Sequence, residues 1–370
     1  MMTADKKPLG LYVHIPFCAG KCIYCDFYSF RPGEESKEKY IEKICGDIKK
    51  SPYVFDTVYI GGGTPSYIGA AALAGIIDCA RVTPGAEITV ECNPSDTGRK
   101  DTPFDFAALR SAGVNRISMG LQSAVDSERK ALGRRAGRDE VLRAIERAHS
   151  AGIDNISLDL MLGIPSQTPE TLRESLEFCV SSGAKHISAY ILKIEEGTFL
   201  SEHTERYDIP GDDDAADMYL QTSDYLTGAG FVHYEISNFA LPGYESRHNL
   251  KYWQGKDYLG IGPAAHSMID GKRFYYERSI EKYLDGCPAV YEGEGNTAEE
   301  YLILSLRLSP GFSLAEYEKK SGIKTGGKFT EKCREFARAG LAEFDGDTLR
   351  LNPRGFLVSN SIISSLMNLL

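Results

Sequence analysis

Three cysteines lie within eight residues of one another near the start of the chain, in the run HIPFCAGKCIYCDFYSF. Cys18, Cys22 and Cys25 have the spacing C-x3-C-x2-C, on the loop predicted to follow the first strand. Three thiolates on one short loop can bind three corners of a [4Fe–4S] cluster, whereas complete ligation by the protein needs four. No fourth cysteine follows within a few residues, so the spacing predicts a cluster whose fourth iron is open to a small chelating molecule.

Two other interpretations of these cysteines remain open from the residues alone. A structural zinc ion could use the same thiolates, with His14 as its fourth ligand. The group could also be a chance cluster of buried free thiols, since free cysteine behaves as a small apolar residue. The chain has nine cysteines, and an odd number in an intracellular protein disfavours a disulfide framework. The other six are scattered, and we expect them to be buried apolar residues.

The only tryptophan of the chain lies in a second stretch that could do chemistry, RHNLKYWQGKDYLGIGPAAHS. There His248 precedes Tyr252 and Trp253. Histidine is a good axial ligand for haem iron, and aromatic side chains can cover the faces of a porphyrin. The alternative is a core histidine inside an aromatic cluster. We expect the other histidines, including His233 and His266, to be structural.

Six short, apolar, β-rich runs indicate the elements that must position these residues. They begin at Leu9, Thr57, Glu87, Arg116, Asn155 and His186, with segments of helical periodicity between them. Strands that are apolar at nearly every position and alternate with helices are typical of a parallel sheet covered on both faces. Six such units could form an open doubly wound sheet or an incomplete (β/α) barrel, and the pattern alone does not separate the two.

Polar residues and glycines recur where these runs end. Gly61 to Thr64 follow the second run, in YIGGGTP, and glycine permits close approach of the backbone to a ligand. Glu91 is predicted to end the third strand, Gln122 the fourth and Asp159 the fifth. Because parallel strands end at one edge of the sheet, we expect these side chains to lie together around a ligand. Taken singly, each could be an ordinary loop or capping residue.

The chain divides into three predicted parts. They are an α/β core over 1–230, an aromatic, glycine-rich extension with a linker over 231–296, and a small C-terminal domain over 297–370. The last part contains three helical runs, a hairpin in LAEFDGDTLRLN and a final amphipathic helix, an order that resembles a winged helix. Its ten basic and nine acidic residues leave it nearly neutral, so we expect a packing or interaction domain that does not read DNA.

Composition narrows the class of protein. The 370 residues include 42 basic and 52 acidic side chains, a net charge of −10, which argues against a nucleic-acid partner. No apolar stretch approaches the roughly 18 residues that would span a bilayer. The first residues lack the apolar region and cleavage site of a secretory signal. We therefore expect an ordinary soluble protein of the cytoplasm.

Taken together, these motifs resemble a known family. C-x3-C-x2-C after a first strand is similar to the signature of radical S-adenosylmethionine (SAM) proteins, and YVHIPFC followed by YCDF resembles their coproporphyrinogen dehydrogenase-like group. His248, Asn249, Tyr252 and Trp253 match the HNxxYW pattern of the haem chaperones in that group. The resemblance extends over nearly the whole chain. It implies an α/β protein with a partial (β/α)6 barrel as its radical SAM core and a small C-terminal α+β domain of winged-helix-like type.

The same resemblance implies roles for individual residues. It assigns Cys18, Cys22 and Cys25 to the [4Fe–4S] cluster and His248 to haem. Tyr24 would pack beside the adenine of SAM. The residues that the resemblance places in contact with SAM, or in the adjoining pocket, are Tyr12, Tyr24, Gly62, Gly63, Thr64, Glu91, Gln122, Arg134 and Asp159.

The implied function is that of a haem chaperone, which carries a [4Fe–4S] cluster and SAM and transfers haem, its cargo, to an acceptor haemoprotein. Its partners would be that acceptor, for example a membrane-associated respiratory enzyme, and an electron donor. The alternative is an enzyme, an oxygen-independent coproporphyrinogen III dehydrogenase or a related radical SAM enzyme. Three features favour the chaperone: CDF replaces the C-x-C ending of the dehydrogenases, only 17 residues precede Cys18, and HNxxYW is present.

Overall fold

The computed structural model describes residues 7–97, 104–134 and 136–370. All six predicted strands are present, as β1 (Leu9–Ile15), β2 (Phe55–Gly62), β3 (Val82–Cys92), β4 (Arg116–Gln122), β5 (Asn155–Leu162) and β6 (His186–Ile191). Each pairs in parallel with the next along the chain. Nearly every residue of β1 is buried, including Leu11, Val13 and Ile15, as expected for a parallel strand with both faces covered.

Helices connect the parallel strands. They are α1 (Glu34–Lys50), α2 (Ala70–Ile77), α3 (Pro94–Thr97), α4 (Phe106–Ser111), α5 (Asp126–Ala131), α6 (Arg138–Ser150), α7 (Pro169–Ser181), α8 (Phe199–Glu202) and α9 (Asp212–Gly228). The long helix α1 buries Tyr40, Ile44 and Ile48, which the three- to four-residue spacing places on one face. That face packs on the sheet, so each connecting helix adds to one continuous core.

The strand order distinguishes the two architectures that the sequence left open. From β1 to β6 the strands follow chain order in the sheet, without the reversal that defines a doubly wound fold. Successive right-handed crossovers in one direction place the helices on one face and curl the sheet towards a barrel. The predicted α/β class with a partial (β/α)6 core is therefore confirmed.

The segment 231–296 extends the same sheet at both sides. Its elements are β7 (Val232–Glu235), β8 (Asn238–Ala240), α10 (Arg247–Trp253), β9 (Tyr258–Ile261), β10 (His266–Ile269), β11 (Lys272–Tyr275), α11 (Ile280–Leu284) and β12 (Val290–Glu294). β8 pairs antiparallel with β6, while β9 pairs in parallel with β1. The described strands have the order β12-β11-β10-β9-β1-β2-β3-β4-β5-β6-β8-β7, and no pairing among them joins β12 to β7. The barrel is therefore open.

The C-terminal part forms a small α+β unit. Its elements are α12 (Ala298–Ser305), β13 (Phe312–Ser313), α13 (Leu314–Ser321), α14 (Gly327–Arg338), β14 (Ala342–Phe344), β15 (Thr348–Leu351), α15 (Pro353–Leu357) and α16 (Ser359–Met367). The predicted hairpin is β14–β15, which joins β13 in an antiparallel sheet, and the predicted final helix is two helices, α15 and α16. No helix within the described ranges combines the length and the apolar character needed to cross a membrane.

Backbone hydrogen bonds attach this unit to the core. The Ile236 N–H donates to the carbonyl of Arg307 at 2.9 Å, and the Ser309 N–H donates to the carbonyl of Tyr234 at 3.1 Å. The aromatic ring of Phe356 lies 5.3 Å from that of His233, measured between ring centroids. The C-terminal unit therefore packs on the β7–β8 edge of the sheet, and its Glu300 also forms an ion pair with Arg273 of β11.

Candidate cofactor site at the carboxyl ends of the strands

The loop after β1 folds back onto the end of β2. The Gly63 N–H donates to the carbonyl of Ile15 at 2.8 Å, and the Thr64 N–H donates to the carbonyl of Phe17 at 2.9 Å. A Cβ atom on Gly63 would lie 2.8 Å from the Ile15 carbonyl oxygen, so the backbones approach too closely for any other residue. The glycines of YIGGGTP thus allow the cysteine loop to pack directly against the end of the neighbouring strand β2.

The three cysteines lie on this loop. Cys18 is buried, with its Sγ 3.2 Å from Oγ1 of Thr64, while Cys22 and Cys25 are half-buried. The N–H of Cys25 donates to the carbonyl of Cys22 at 3.2 Å, which closes a turn. Burial raises the pKa of the Cys18 and Cys25 thiols, because desolvation disfavours the thiolate. Binding iron to these sulfurs must therefore supply the positive charge that releases their protons.

Three cysteine thiols on one loop are the donors that an iron–sulfur cluster uses. Across the described part of the chain, no three His, Cys, Asp or Glu side chains gather around one metal position. A [4Fe–4S] cluster binds each cysteine through a different iron, so its ligands need not converge on one point. His14, the alternative zinc ligand, is engaged elsewhere: its Nε2 lies 3.0 Å from the Tyr28 carbonyl oxygen and its Nδ1 lies 3.1 Å from Oη of Tyr12.

Arg134 reaches the cysteine loop from the segment after α5. Its guanidinium donates to the carbonyl of Gly120 on β4, and its Nη1 lies 3.9 Å from Sγ of Cys22. Burial lowers the pKa of Arg134, but the nearby Tyr24 and Cys22 raise it by more. The net result is a pKa above the usual value for arginine. Tyr24 itself packs beside a small apolar cluster that is separate from the main core and consists of Leu132, Met161 and Ile164, with Leu192 at its edge.

Glu91 lies near the end of β3, with its carboxylate held in place from two sides. Tyr59 donates its hydroxyl to Oε1 at 2.7 Å, and the Gly62 N–H donates to Oε2 at 3.1 Å. Burial raises the pKa of Glu91 to about 7, and the nearby Asp159 raises it as well. Sequence reasoning missed Tyr59. The available signal was its position two residues before Gly61, which places both residues on one face of β2.

Asp159 differs from its predicted position. It does not end β5: it pairs with Gly120 on β4 and Ser188 on β6, and three more residues of the strand follow it. The apolar run Leu160–Leu162 continues the pairing with β6, which is why the strand extends further than its polar residue indicated. Ser118 donates to Oδ1 of Asp159 at 3.2 Å, and burial raises the pKa of Asp159 to about 6.

Gln122 does end β4, as predicted. Its φ of 67° places it in the left-handed region that few non-glycine residues adopt. The pairing with β5 shifts register between Gly120 and Gln122, so the strand is interrupted where it meets Arg134. Asp159 and Gln122 thus lie near Arg134, which contacts the cysteine loop, and Glu91 lies near Asp159.

His248 lies on α10, outside this group of side chains. It is fully buried, with Nδ1 2.8 Å from Oγ1 of Thr57 and Nε2 2.8 Å from Oη of Tyr252. Burial lowers the pKa of His248 to about 3, and the Lys251 ammonium lowers it as well. Its ring stacks on Tyr59 with centroids 5.4 Å apart. Both ring nitrogens are therefore occupied, and an iron ligand at this position must first give up one of these hydrogen bonds.

The histidines predicted to be structural differ from one another. His233 is half-buried, stacks on Phe239 with ring centroids 4.0 Å apart, and has its pKa lowered to about 4 by burial. His266 is exposed on the first residue of β10. Its Nδ1 lies 3.2 Å from Oε2 of Glu292, so its surroundings differ from those of a core histidine.

Comparison with known proteins identifies the superfamily and the fold. The radical SAM superfamily model matches residues 12–179, and the HemN C-terminal domain model matches residues 296–358. A solved structure of coproporphyrinogen III oxidase (HemN) from Escherichia coli, a radical SAM enzyme, matches 99% of this chain and 91% of that chain with a TM-score of 0.81. Its sequence identity is 21%, so this match establishes the fold.

Curated relatives establish the family. The heme chaperone HemW of Mycobacterium tuberculosis (strain ATCC 25618 / H37Rv) is 33% identical, over 98% of this chain and 95% of that protein. The Lactococcus lactis heme chaperone HemW is 30% identical over 98% of each chain, and that of Escherichia coli is 38% identical over 71% of this chain and 70% of that protein. A barrel of this topology with a C-x3-C-x2-C loop, aligned over nearly its full length with these relatives, belongs to the HemW family of the radical SAM superfamily.

Proposed function

We propose that this protein is a haem chaperone, which carries a [4Fe–4S] cluster and SAM and transfers haem to an acceptor haemoprotein. The observation that carries the proposal is the alignment with heme chaperone HemW over 98% of the chain. The alignment includes the radical SAM core and the C-terminal unit alike, and so covers both parts on which a transfer function would depend.

The cluster ligands would be Cys18, Cys22 and Cys25. The backbone hydrogen bonds from Gly63 and Thr64 to the cysteine loop support this assignment. They hold the loop in one conformation in the absence of iron. The neighbouring guanidinium of Arg134 would offset the negative charge of the thiolates.

SAM would lie across the open end of the barrel, next to the cluster. Bound together, a reduced cluster and SAM supply one-electron chemistry. The half-buried carboxyls of Glu91 and Asp159 would face the positive charges of SAM, which would favour their ionised forms. The apolar cluster beside Tyr24 would take the adenine. The remaining SAM contacts of this proposal are Tyr12, Gly62, Gly63, Thr64, Gln122 and Arg134.

Haem would be cargo, and the partners would be an acceptor haemoprotein, for example a membrane-associated respiratory enzyme, and an electron donor. His248 is the haem ligand that the HNxxYW pattern predicts. Its two hydrogen bonds, to Thr57 and Tyr252, mean that haem binding there requires a rearrangement of α10.

A second function is supported by one specific observation, the match of nearly the whole fold to coproporphyrinogen III oxidase. In that case the protein would oxidise coproporphyrinogen III. A porphyrinogen substrate carries four carboxylates, and bidentate arginine contacts recognise such groups well. Arg134 is turned towards Gly120 and Cys22, and this engagement favours the chaperone.

One pair of anaerobic assays tests the proposal. Protein with its cluster reconstituted is loaded with haem and mixed with an apo-haemoprotein, and transfer is followed by the absorbance of the acceptor. The same preparation is incubated with coproporphyrinogen III, SAM and a reductant. We expect haem transfer without protoporphyrinogen. Multiple-turnover formation of protoporphyrinogen with matching 5′-deoxyadenosine would show that the protein is an enzyme.

A further inference from the structure

Two cysteines outside the cysteine loop meet between neighbouring helices. Cys45 lies on α1, and Cys79 lies in the turn two residues after the end of α2. The Cys79 thiol donates to the carbonyl oxygen of Gly75 at 3.1 Å, and Sγ of Cys45 lies 3.9 Å from the same oxygen. The sequence predicts buried apolar cysteines at both positions, but neither is fully buried. Both thiols are therefore within reach of solvent and of each other.

The protonation of the two thiols bears on their redox chemistry. Burial raises the pKa of Cys45 to about 12, and a hydrogen bond with the Cys79 thiol raises it as well. Cys45 therefore keeps its proton at neutral pH, and the folded protein does not stabilise it as a thiolate. A dithiol is a weak reductant when its thiolate form is stabilised, so this pair should be a comparatively strong one.

The pair lies at the opposite edge of the sheet from the candidate cofactor site. Cys79 comes three residues before β3 begins at Val82, which places it at the amino ends of the strands. The cysteine loop follows β1 and packs at the carboxyl ends. In barrels of this type the carboxyl ends bear the cofactor site, and the amino ends contribute to stability. Thiol chemistry of Cys45 and Cys79 can therefore proceed without any change at the cluster ligands.

We propose that Cys45 and Cys79 form a reversible disulfide between α1 and the end of α2, with a low-molecular-weight disulfide such as oxidised glutathione as the oxidant. This inference is independent of the proposed haem chaperone function.

The exchange has two steps. The Cys79 thiolate attacks one sulfur of oxidised glutathione, whose S–S bond breaks as one glutathione thiolate leaves. Cys45 then loses its proton and attacks the Cys79 sulfur, and the second glutathione thiolate leaves. The pair loses two electrons and two protons, and one oxidised glutathione becomes two molecules of reduced glutathione.

The new bond would restrain the first half of the barrel. Helices α1 and α2 cover β1 and β2 with buried side chains that include Ile44 and Leu73. A disulfide reduces the freedom of the unfolded chain and so favours the folded one. Because the end of β2 contacts the cysteine loop, the bond would stabilise the support of this loop when the surroundings become oxidising.

Peptide mapping in glutathione buffers tests the bond. Cluster-reconstituted protein is equilibrated anaerobically with mixtures of reduced and oxidised glutathione, quenched with acid, alkylated, digested and analysed by mass spectrometry. We expect peptides joined through Cys45 and Cys79, and we expect them in mixtures where reduced glutathione still predominates. Single cysteines joined only to glutathione, or joined peptides that contain Cys18, Cys22 or Cys25, would overturn the proposal.

Thermal unfolding tests the effect of the bond. Oxidised wild-type protein should have a higher unfolding midpoint than reduced protein, whereas Cys79→Ser should have the same midpoint in both buffers. Cys287→Ser is the matched control, because Cys287 is exposed and outside the pair, and it should behave as wild type. Iron and sulfide content should be equal in wild type and Cys79→Ser. Joined peptides without a higher midpoint would show that the bond does not stabilise the barrel.

Discussion

Arg134 and Cys22 are 112 residues apart in the chain, yet their side chains lie 3.9 Å apart. The guanidinium places a positive charge beside a loop of candidate metal ligands. Through this contact, the segment after α5 adjoins the loop that follows β1. At the scale of single residues, the candidate site therefore combines groups that are far apart in the sequence.

Replacement of one cysteine tests the metal centre. Anaerobically reconstituted wild-type protein should contain about four iron and four sulfide per chain, and Cys22→Ala should retain neither in stoichiometric amount. Iron, sulfide and zinc are measured on the same samples. Cys287→Ala is the control, because Cys287 is an exposed cysteine outside the loop. One zinc per chain without sulfide, in protein made under iron-replete anaerobic conditions, would establish a zinc site.

Glu235 gives a prediction about pH. This fully buried residue at the end of β7 accepts hydrogen bonds from Asn238 and from the Ser237 N–H, and burial raises its pKa to about 7. Its folded pKa lies above the ordinary value of 4.5, so the folded protein binds more protons there than the unfolded chain does. Stability from this group is thus complete below about pH 4.5 and is lost as the pH rises towards and past 7.

The expected result is a difference between wild type and Glu235→Gln in how stability changes with pH. When the pH is raised from 5.5 to 8, the free energy of unfolding measured with urea should change less favourably in wild type than in the variant. Both proteins keep the contributions of Glu91 and Asp159, whose pKa values are raised, and of His233 and His248, whose lowered pKa values act in the opposite direction. Glu343→Gln, at an exposed position on β14, should resemble wild type. Equal changes in wild type and Glu235→Gln would show that Glu235 does not titrate in this range.

At the scale of elements, the backbone contact between the cysteine loop and the end of β2 holds this loop at the carboxyl ends of the strands. Just past the last paired residues of β1 and β2, the carbonyls of Ile15 and Phe17 accept backbone hydrogen bonds from Gly63 and Thr64. Gly62, with φ at 112°, turns the end of β2 so that its N–H reaches Glu91. One short glycine run therefore positions both the cysteine loop and a carboxylate of the candidate SAM site.

Gly63→Ala should disturb the contact between the cysteine loop and the end of β2. The added Cβ would lie 2.8 Å from the Ile15 carbonyl oxygen and 3.0 Å from the backbone N and O of Phe17, so the loop must shift. We expect a loss of about 2 kcal/mol in the free energy of unfolding, measured with urea, and a lower iron content after reconstitution.

Gly75→Ala is the matched control for the same substitution. Gly75 lies on the exposed face of α2, and a Cβ there meets nothing within 4 Å. Because alanine favours a helix over glycine, this variant should be more stable than wild type by up to about 1 kcal/mol. Unchanged stability and iron content in Gly63→Ala would show that the cysteine loop can shift away from β2 without loss of stability or of iron binding.

At the scale of the whole molecule, the strand β1 and the strands β7 and β8, on which the C-terminal unit packs, belong to one sheet. The C-terminal unit packs on the β7–β8 edge and forms an ion pair with β11, and the three strands β10 to β12 share a cavity wall with the cysteine loop. The HemN C-terminal domain match begins at residue 296, next to the predicted boundary at 297. Because backbone hydrogen bonds cross this boundary, we expect the C-terminal unit and the barrel to unfold together.

Phe356→Ala tests this coupling. Phe356 is buried on α15, with its ring 5.3 Å from the ring of His233 on β7. Truncation of a buried phenylalanine costs about 3–5 kcal/mol, so the unfolding midpoint of the whole protein should fall. Far-UV circular dichroism and tyrosine fluorescence should still report one transition. Val358→Ala, at a position 41% exposed, should change the midpoint little. An early transition of the C-terminal unit alone would show that it folds independently.

The sequence by itself determined the features that depend on local spacing. The C-x3-C-x2-C loop, the six apolar strands and the glycines of YIGGGTP could be predicted because ligand spacing, burial period and close backbone approach each depend on a few neighbouring residues. The fold class followed from these strands and from the family resemblance, and the parallel order of β1 to β6 confirms it.

Only the tertiary structure decided what surrounds each candidate residue. The motif predicts His248 as a haem ligand, and the fold adds that Thr57 and Tyr252 are the hydrogen-bond partners of its two ring nitrogens. Asp159 was predicted to end β5, but pairing with β6 carries the strand three residues further. The physical reason is that burial and hydrogen-bond partners come from strands that are distant in the chain, and local sequence carries no record of which strands meet.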